Sequence, residues 1–372
     1  MRSARVHRIP TASPDDVSGL MEKIETGEIE PAGIEAILGK TEGNGCVNDF
    51  TRGFAVQALR TALAPFLDQA ALDRISMVMS GGTEGGLAPH LLVFEKREVE
   101  TPIEAGADAS SALAIAVAHT RAMLPEEIGR RAQADAVAEA VDVAMAEAAI
   151  DRPEDVHYVQ VKCPLLTAAR ISEAAARHES VATADSLKSM GLSRGASALG
   201  VAMALGEVSA DLVTDAAIGV DMALHSARAS CSAGIELMHN EIVVLGNSGA
   251  WCGDLVIGHD VMADAIDTPA LYRALASIGI EASGQLSTEQ RGHLIALLAK
   301  AEADPAGNIR GARHIMLDDS DIASTRHARA LVGGALAGVV GHTELFISGG
   351  AEHQGPPGGG PVAVIARQKE TC

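Results

Sequence analysis

A lysine, an arginine and a serine recur in that order three times along this chain, and no other feature limits its fold so strongly. The first set is Lys40, Thr51-Arg52-Gly53 and Ser80-Gly81-Gly82. The second is Lys162, Ser193-Arg194-Gly195 and Ser230-Cys231-Ser232-Ala233-Gly234, and the third is Lys300, Thr325-Arg326-His327 and Ser348-Gly349-Gly350. Each lysine ends an apolar run, each arginine opens a helix-like segment, and each serine sits in a turn of small residues. Lys-to-Arg spacings of 12, 32 and 26 residues rule out a fixed period, so the repetition lies in order and context. Three copies of one constellation imply a single centre with threefold pseudosymmetry.

Periodicity supplies the same grammar around each set. Residues 6–9, 34–38, 75–79 and 91–94 read as strands in the first third, with helices opening near Ser13-Pro14-Asp15-Asp16 and from about Arg52. The middle third gives strands at 113–117, 156–161 and 242–245, a long helix from Glu126 to Ile150, and a helix of small residues from Gly195 to Leu205. The polar stretch 224–231 reads as loop as readily as strand. The last third gives strands at 255–257, 294–298, 345–347 and 362–365 and helices at 269–278 and 327–340. The expected fold is therefore α/β: three structurally similar β-α-β-α-β-β units, 1–103, 111–250 and 254–372, around a pseudo-threefold axis.

Composition narrows the function. Hydrophobic residues make up 47% of the chain but aromatics only 2%, so Ala, Val, Leu and Ile must form the cores through close backbone packing. A formal net charge of −20 argues against a nucleic-acid or anionic-membrane partner. Against that background, three lysines and three arginines form a cationic island suited to a small anionic or polar ligand. Five cysteines without a CxxC pair read as reduced thiols, and the N-terminus lacks an apolar signal core, so a cytoplasmic location is expected. The weakly polar run 330–341 is too short to cross a bilayer.

The chemistry follows from residue types. Guanidinium forks suit carbonyl recognition, backbone N–H groups of Ser-Gly turns can form an oxyanion cradle, and a serine beside a lysine is an alternative to the Ser-His-Asp triad. The lysine must then be neutral, and neighbouring cations would lower its pKa. Leu38-Gly39-Lys40-Thr41 imitates the end of a phosphate loop but lacks the glycine five residues before Gly39. Cys163 and Cys231 read as small packing residues. His353 has no zinc partner, although its Gly/Pro-rich loop, with Glu302, offers oxygen donors for a hard cation.

Longer strings at these positions carry a resemblance: Gly39-Lys40-Thr41-Glu42-Gly43-Asn44-Gly45, Met79-Ser80-Gly81-Gly82-Thr83-Glu84-Gly85, Val161-Lys162-Cys163-Pro164, Ser193-Arg194-Gly195-Ala196-Ser197, Ser324-Thr325-Arg326-His327-Ala328-Arg329 and Ser348-Gly349-Gly350-Ala351-Glu352-His353-Gln354-Gly355. Over essentially its full length the chain resembles the cyanuric acid hydrolase and barbiturase family. The resemblance implies three repeats around one active site, and hydrolysis of a ring amide of cyanuric acid to carboxybiuret, then biuret and CO2. It implies Lys162 as general base and Ser232 as nucleophile, with substrate contacts from Arg52, Ser80, Gly81, Arg194, Ser232, Ala233, Arg326, Ser348 and Gly349. Lys40 and Lys300 would support the other serines, and Ile322 would set specificity. A structural Mg²⁺ or Ca²⁺ would be held by Glu302, Ala351, Gln354, Gly355, Pro356 and Gly359, with no cofactor for the chemistry, in a homotetramer. Two alternatives stand beside this reading: barbiturase activity, and a non-catalytic module that binds small anions.

Overall fold

The computed structural model describes residues 1–99 and 111–368; the expected joint at 101–110, the end of the first unit at 103 and Cys372 lie outside them. The first unit runs β1 (Arg2–Pro10), α1 (Ser18–Glu25), β2 (Ile34–Thr41), α2 (Phe50–Leu63), α3 (Gln69–Arg74), β3 (Ser76–Gly81) and β4 (His90–Glu98). The second runs β5 (Ala112–His119), α4 (Arg131–Glu147), β6 (Val156–Pro164), α5 (Ala168–Ala176), α6 (Ser186–Ala204), β7 (Ala229–Gly234) and β8 (Glu241–Ser248). After β9 (Trp251–Cys252), the third runs β10 (Leu255–Met262), α7 (Thr268–Ala276), α8 (Thr288–His293), β11 (Leu294–Ala301), the small β12 (Asn308–Ile309) and β13 (Ala312–Arg313), α9 (Ser324–Val340), β14 (Phe346–Gly349) and β15 (Gly360–Arg367).

One topology serves all three. The sheet orders are β3-β2-β4-β1, β7-β6-β8-β5 and β14-β11-β15-β10, with β9 added beside β1. In each sheet the lysine strand lies parallel to the serine strand and antiparallel to the last strand. The register is the same to the residue: Lys40 faces Ser80, Lys162 faces Ser232, and Lys300 faces Ser348. Even the irregularity repeats, between Ile34 and Ala36, Val156 and Tyr158, and Leu294 and Ala296. In all three units it ends four residues before the lysine.

The lysine strands are apolar because each is covered on both faces, as a strand inside a parallel pair must be. One core cluster joins all three units, taking Ala36 and Leu38, Tyr158 and Val161, and Ala296 and Leu298 together. At the position four before each lysine the residues are Ala36, Tyr158 and Ala296, all fully buried. One ring beside two methyl groups fills a space that three rings would overfill. Close helix packing explains the shortage of aromatics elsewhere: α6 is buried at every residue from Ser193 to Ala202, and a Cβ on Gly200 would lie 2.5 Å from the Ala134 carbonyl of α4.

Several expectations shift. The helix expected from Glu126 begins at Arg131, because Gly129 takes φ +76° and Pro125–Glu127 forms a separate 3-10 turn. Glu126 pairs with Arg177, while Glu127 pairs with Arg121 and accepts from the Leu124 N–H at the start of that turn. Ser13 to Asp16 form a turn before α1, with the Asp16 carboxylate accepting from Ala12 and Ser18 N–H. The stretch 224–231 divides: 229–231 open the strand β7 (Ala229–Gly234) that carries Ser232, and 224–228 lie outside it. Arg194 sits well inside α6, which starts at Asp185, a cap accepting from the N–H of Leu187 and Lys188. α5 is not among the expected helices.

Candidate active site

Parallel pairing carries the three serines to the ends of their strands, where the units meet around one cavity. Arg52, Ser80, Gly81, Arg194, Ser232, Ala233, Ser348 and Gly349 line it, together with Gly45, Met79, Met190 and Arg329. About 260 Å³ of space there is free of protein atoms, part of it open to solvent.

Behind the serines the lysines interlock the units in a cycle. Lys40 Nζ donates to the Ile347 carbonyl (2.7 Å), Lys162 Nζ to that of Met79 (3.0 Å), and Lys300 Nζ to that of Cys231 (3.0 Å). Each acceptor is the residue just before the serine of another unit. All three lysines are buried. Burial is the main force lowering their pKa values. Lys40 lies well below the ordinary lysine range through burial and the Arg329 charge, and Lys300 is brought to about 7 by burial and Arg194. For Lys162, burial lowers the pKa, the Glu236 carboxylate opposes it, and Arg52 adds to the lowering. Desolvation, more than the expected mutual repulsion, sets these shifts.

The dyads differ in detail. Lys40 donates to Ser80 Oγ at 3.2 Å and Lys300 to Ser348 Oγ at 3.1 Å. Ser232 Oγ instead shares a 3.0 Å hydrogen bond with Ser348 Oγ, while Lys162 Nζ lies 2.6 Å from Glu236 Oε1.

A second repeated residue escaped the sequence reading. Four positions after each serine stands a glutamate: Glu84, Glu236 and Glu352. Arg194 forks onto Glu352 with two bonds of 2.7 Å, and Arg329 onto Glu84 with bonds of 2.8 and 2.7 Å. Arg52 approaches Glu236 at 3.8 Å and donates to the Cys46 carbonyl, leaving its buried Nε without a partner. The cycle again runs between units. The third arginine lining the cavity is Arg329, with a side chain 3% exposed; Arg326, 41% exposed, is not among the lining residues and donates to Glu84. The repeated serine-plus-four glutamate and the apolar stripe Ala328, Val332 and Leu336 beside Arg329 were the available signals.

The same pairs alter the expected charge. Opposite each arginine stands a carboxylate and the lysines are poised toward neutrality, so the centre is charge-balanced rather than a cationic island. It reads a ligand through directed hydrogen bonds. The glycines two places after each serine make room for these groups: a Cβ on Gly82 would lie 2.5 Å from Arg329, on Gly350 2.5 Å from Arg194, and on Gly234 2.1 Å from Glu236.

Ile322, exposed in the loop before α9, is not among the residues lining the cavity. Glu302 accepts from the N–H of Ala303 and Ala351. Burial and the neighbouring Glu352 charge raise its pKa, and no cation bonds it directly among the described residues. The loop beyond it turns through positive φ at His353, Gly355 and Gly358, and packs Gly355 against Gly360 and Gly359 against the Met262 carbonyl. A carboxylate beside Ala351, Gln354, Gly355, Pro356 and Gly359 is an all-oxygen set that fits a hard divalent ion. The Gln354 side chain is engaged elsewhere: its Oε1 accepts from Cys231 N–H at 2.6 Å, so the residue offers its main-chain carbonyl. His353 is taken up by the Leu224 carbonyl and Gly219 N–H. Among the described residues no group of three or more His, Cys, Asp or Glu could hold a metal, every cysteine is a free thiol, and no helix is long and apolar enough to cross a membrane. Cys163 and Cys231 are fully buried, and burial raises their thiol pKa values.

Comparison with known proteins agrees with this geometry. Residues 5–367 match the model of the amidohydrolase ring-opening protein family. The chain is 62% identical to the cyanuric acid amidohydrolase of Azorhizobium caulinodans, covering 98% of this chain and 99% of that one. It is 56% identical to that of a Bradyrhizobium strain, over 99% of both chains. The crystal structure of the A. caulinodans cyanuric acid hydrolase superposes with a TM-score of 0.92 at 60% identity, over 99% of this chain and 100% of that one. A second cyanuric acid hydrolase structure, described as evolutionary innovation by structural concatenation, gives 0.93 at 50% identity with the same coverage. By sequence, by fold and by its threefold site, the chain belongs to the ring-opening amidohydrolase family.

Proposed function

We propose that this protein hydrolyses one ring amide of cyanuric acid, releasing carboxybiuret, which loses CO2 to give biuret. One observation carries the reading: three Lys/Ser pairs in identical register converge with three arginines on one cavity. A ring with three equivalent carbonyls is the ligand that such a site fits. Each carbonyl would face one set, namely Arg52 with Ser80 and Gly81, Arg194 with Ser232 and Ala233, and Arg329, in place of Arg326, with Ser348 and Gly349.

In this reading Ser232 is the nucleophile and Lys162 its base. Neutral Lys162 takes the hydroxyl proton as the Ser232 oxygen bonds to a ring carbonyl carbon. Backbone N–H groups hold the oxyanion, and the lysine returns the proton to the ring nitrogen as the C–N bond breaks. Water then frees the acyl group and regenerates the serine. Ser232 is the most exposed of the three serines, at 8% against 5% for Ser80 and 2% for Ser348. It also lies across the strand pair from Lys162, in the register at which Lys40 and Lys300 bond their serines.

A second reading places the chemistry on Ser348 and Lys300, favoured by their 3.1 Å hydrogen bond and the Lys300 pKa of about 7. Ring-opening assays of Ser232→Ala, Ser348→Ala and Ser80→Ala with cyanuric acid decide between them. Loss of turnover in Ser232→Ala alone supports the first; loss in Ser348→Ala alone replaces it. Barbituric acid, which keeps three carbonyls, is assayed in parallel, and turnover of it alone would make the enzyme a barbiturase. The proposal includes a structural divalent ion on Glu302 and the loop carbonyls, ordering the loop beside Arg194, and a cytoplasmic homotetramer; sedimentation of the purified protein tests the assembly.

A further inference from the structure

The three serine-plus-four glutamates do not all have the same partner. Glu84 and Glu352 each grip an arginine through two charge-assisted bonds. Glu236 stands 3.8 Å from its arginine and 2.6 Å from a lysine. Among the described residues this is the one unit in which the glutamate has moved from the arginine to the lysine. It is also the unit in which the lysine makes no hydrogen bond to its serine.

The surroundings hold Glu236 in that position. Arg170 of α5 donates to the carbonyls on either side of it, Ile235 at 2.9 Å and Leu237 at 3.1 Å, and to Leu165 at 2.5 Å. Gly234 leaves the space that the carboxylate occupies, since a Cβ there would collide with it at 2.1 Å. No counterpart of the Arg170 clamp is seen in the described residues of the other two units. The charged or titratable groups facing the pair are Arg52 from α2, Arg170 from α5 and the Cys163 thiol next to Lys162.

We infer that Glu236 is a positioning residue of the second unit's dyad, holding the Lys162 amine in place and stabilising it once it carries the serine proton. The inference rests on the assignment of Ser232 and Lys162 above. Glu236 exchanges no proton and forms no covalent bond: the proton travels from Ser232 Oγ to Lys162 Nζ and on to the ring nitrogen. The carboxylate makes the intermediate ammonium less costly in a buried site, as the buried aspartate of a serine-protease triad does for its histidine. It also breaks the equivalence of the three dyads, giving Lys162 a direct ion pair where Lys40 and Lys300 bond their serines.

Glu236→Gln keeps the shape and removes the charge. The expected result is a fall in kcat of at least about tenfold with KM changed far less. The acid limb of kcat/KM moves to lower pH, because the carboxylate favours protonated Lys162 and its loss lowers that pKa further. Glu84→Gln, which weakens the grip on Arg329, serves as the contrast and should raise KM with the limb unmoved. Wild-type kcat and an unshifted limb in Glu236→Gln overturn the inference, as does a loss confined to KM, which would assign Glu236 to anchoring Arg52. If the Gln variant does not fold, Glu236→Asp decides: it draws the carboxylate back by one methylene, several-fold lower kcat is expected, and wild-type kcat overturns. Turnover by Ser232→Ala would defeat the underlying assignment instead, and so is told apart.

Discussion

Arg329 lines the cavity from α9 while gripping a carboxylate of the first unit. Its guanidinium, 3% exposed, forks onto Glu84, which is 11% exposed. Arg329→Met removes the buried partner of Glu84 and leaves that carboxylate to the half-exposed Arg326, a cost of up to about 3–5 kcal/mol. If the same guanidinium also meets a substrate carbonyl, the lost charged hydrogen bond is worth about 1.5–3 kcal/mol, or roughly tenfold to 150-fold in kcat/KM. The two effects separate in Arg329→Met/Glu84→Gln, where no carboxylate is left uncompensated. Stability should return in large part while kcat/KM stays low. Arg326→Met, at a solvent-screened position, should cost less than about 1 kcal/mol and change kcat/KM little. Denaturant unfolding and ring-opening kinetics on the four proteins give the answer. A large kcat/KM loss in Arg326→Met with near wild-type kinetics in Arg329→Met would refute the reasoning and restore the sequence reading.

Other predictions follow from single residues. Tyr158→Ala opens a cavity where the three units meet and should cost about 3–5 kcal/mol, whereas Tyr158→Phe, which keeps the ring and removes only a hydroxyl beside Ser230, should cost much less; unfolding midpoints compare them. Lys40 has a folded pKa well below its unfolded value, so between those two values the unfolded chain binds more protons and stability rises with pH. Lys40→Met should flatten that rise, measured as the pH slope of the unfolding midpoint, and an unchanged slope would count against it. Because the proposed base must be neutral, kcat/KM should climb with pH through the Lys162 pKa; a profile falling over that range would exclude the role. Chelation of divalent ions should lower the melting temperature of wild-type protein but leave Glu302→Gln unchanged, and equal shifts in both would remove Glu302 from the ion site.

The fold was legible because strands and helices depend on local pattern, and the pattern recurred. Lysine at the end of an apolar run marked the strand ends correctly at Lys40, Lys162 and Lys300. What local pattern could not give was partnership across units. The bond from Lys162 to the Met79 carbonyl and the grip of Arg329 on Glu84 span long stretches of chain, and neither end announces the other. The glutamates were hidden for a different reason: alone, each reads as a solvated charge, and only its constant distance from a serine sets it apart. Helix phase distinguishes Arg329, on the face that α9 buries, from the more exposed Arg326, and the recurring context around Arg326 does not carry that information.

A threefold site sets its own problem, since three equivalent dyads around a threefold ligand give no reason for one bond to break before another. Binding can be symmetric, because each carbonyl needs the same donors; bond breaking needs one nucleophile with one proton acceptor. The departures from symmetry here gather around the second unit's dyad. Ser232 precedes Ala233 where the other serines precede glycine, Lys162 pairs with Glu236 instead of bonding its serine, and Arg52 of the first unit approaches Glu236 only at 3.8 Å. Repetition therefore supplies the cradle and the exceptions supply the chemistry. If that division holds, substitutions at Ser80 and Ser348 should raise KM with kcat reduced only modestly, and substitutions at Ser232 should abolish kcat while a non-hydrolysable ring analogue still binds. Equal losses of kcat at all three serines would mean that the ring is attacked from any unit and that the asymmetry is packing alone.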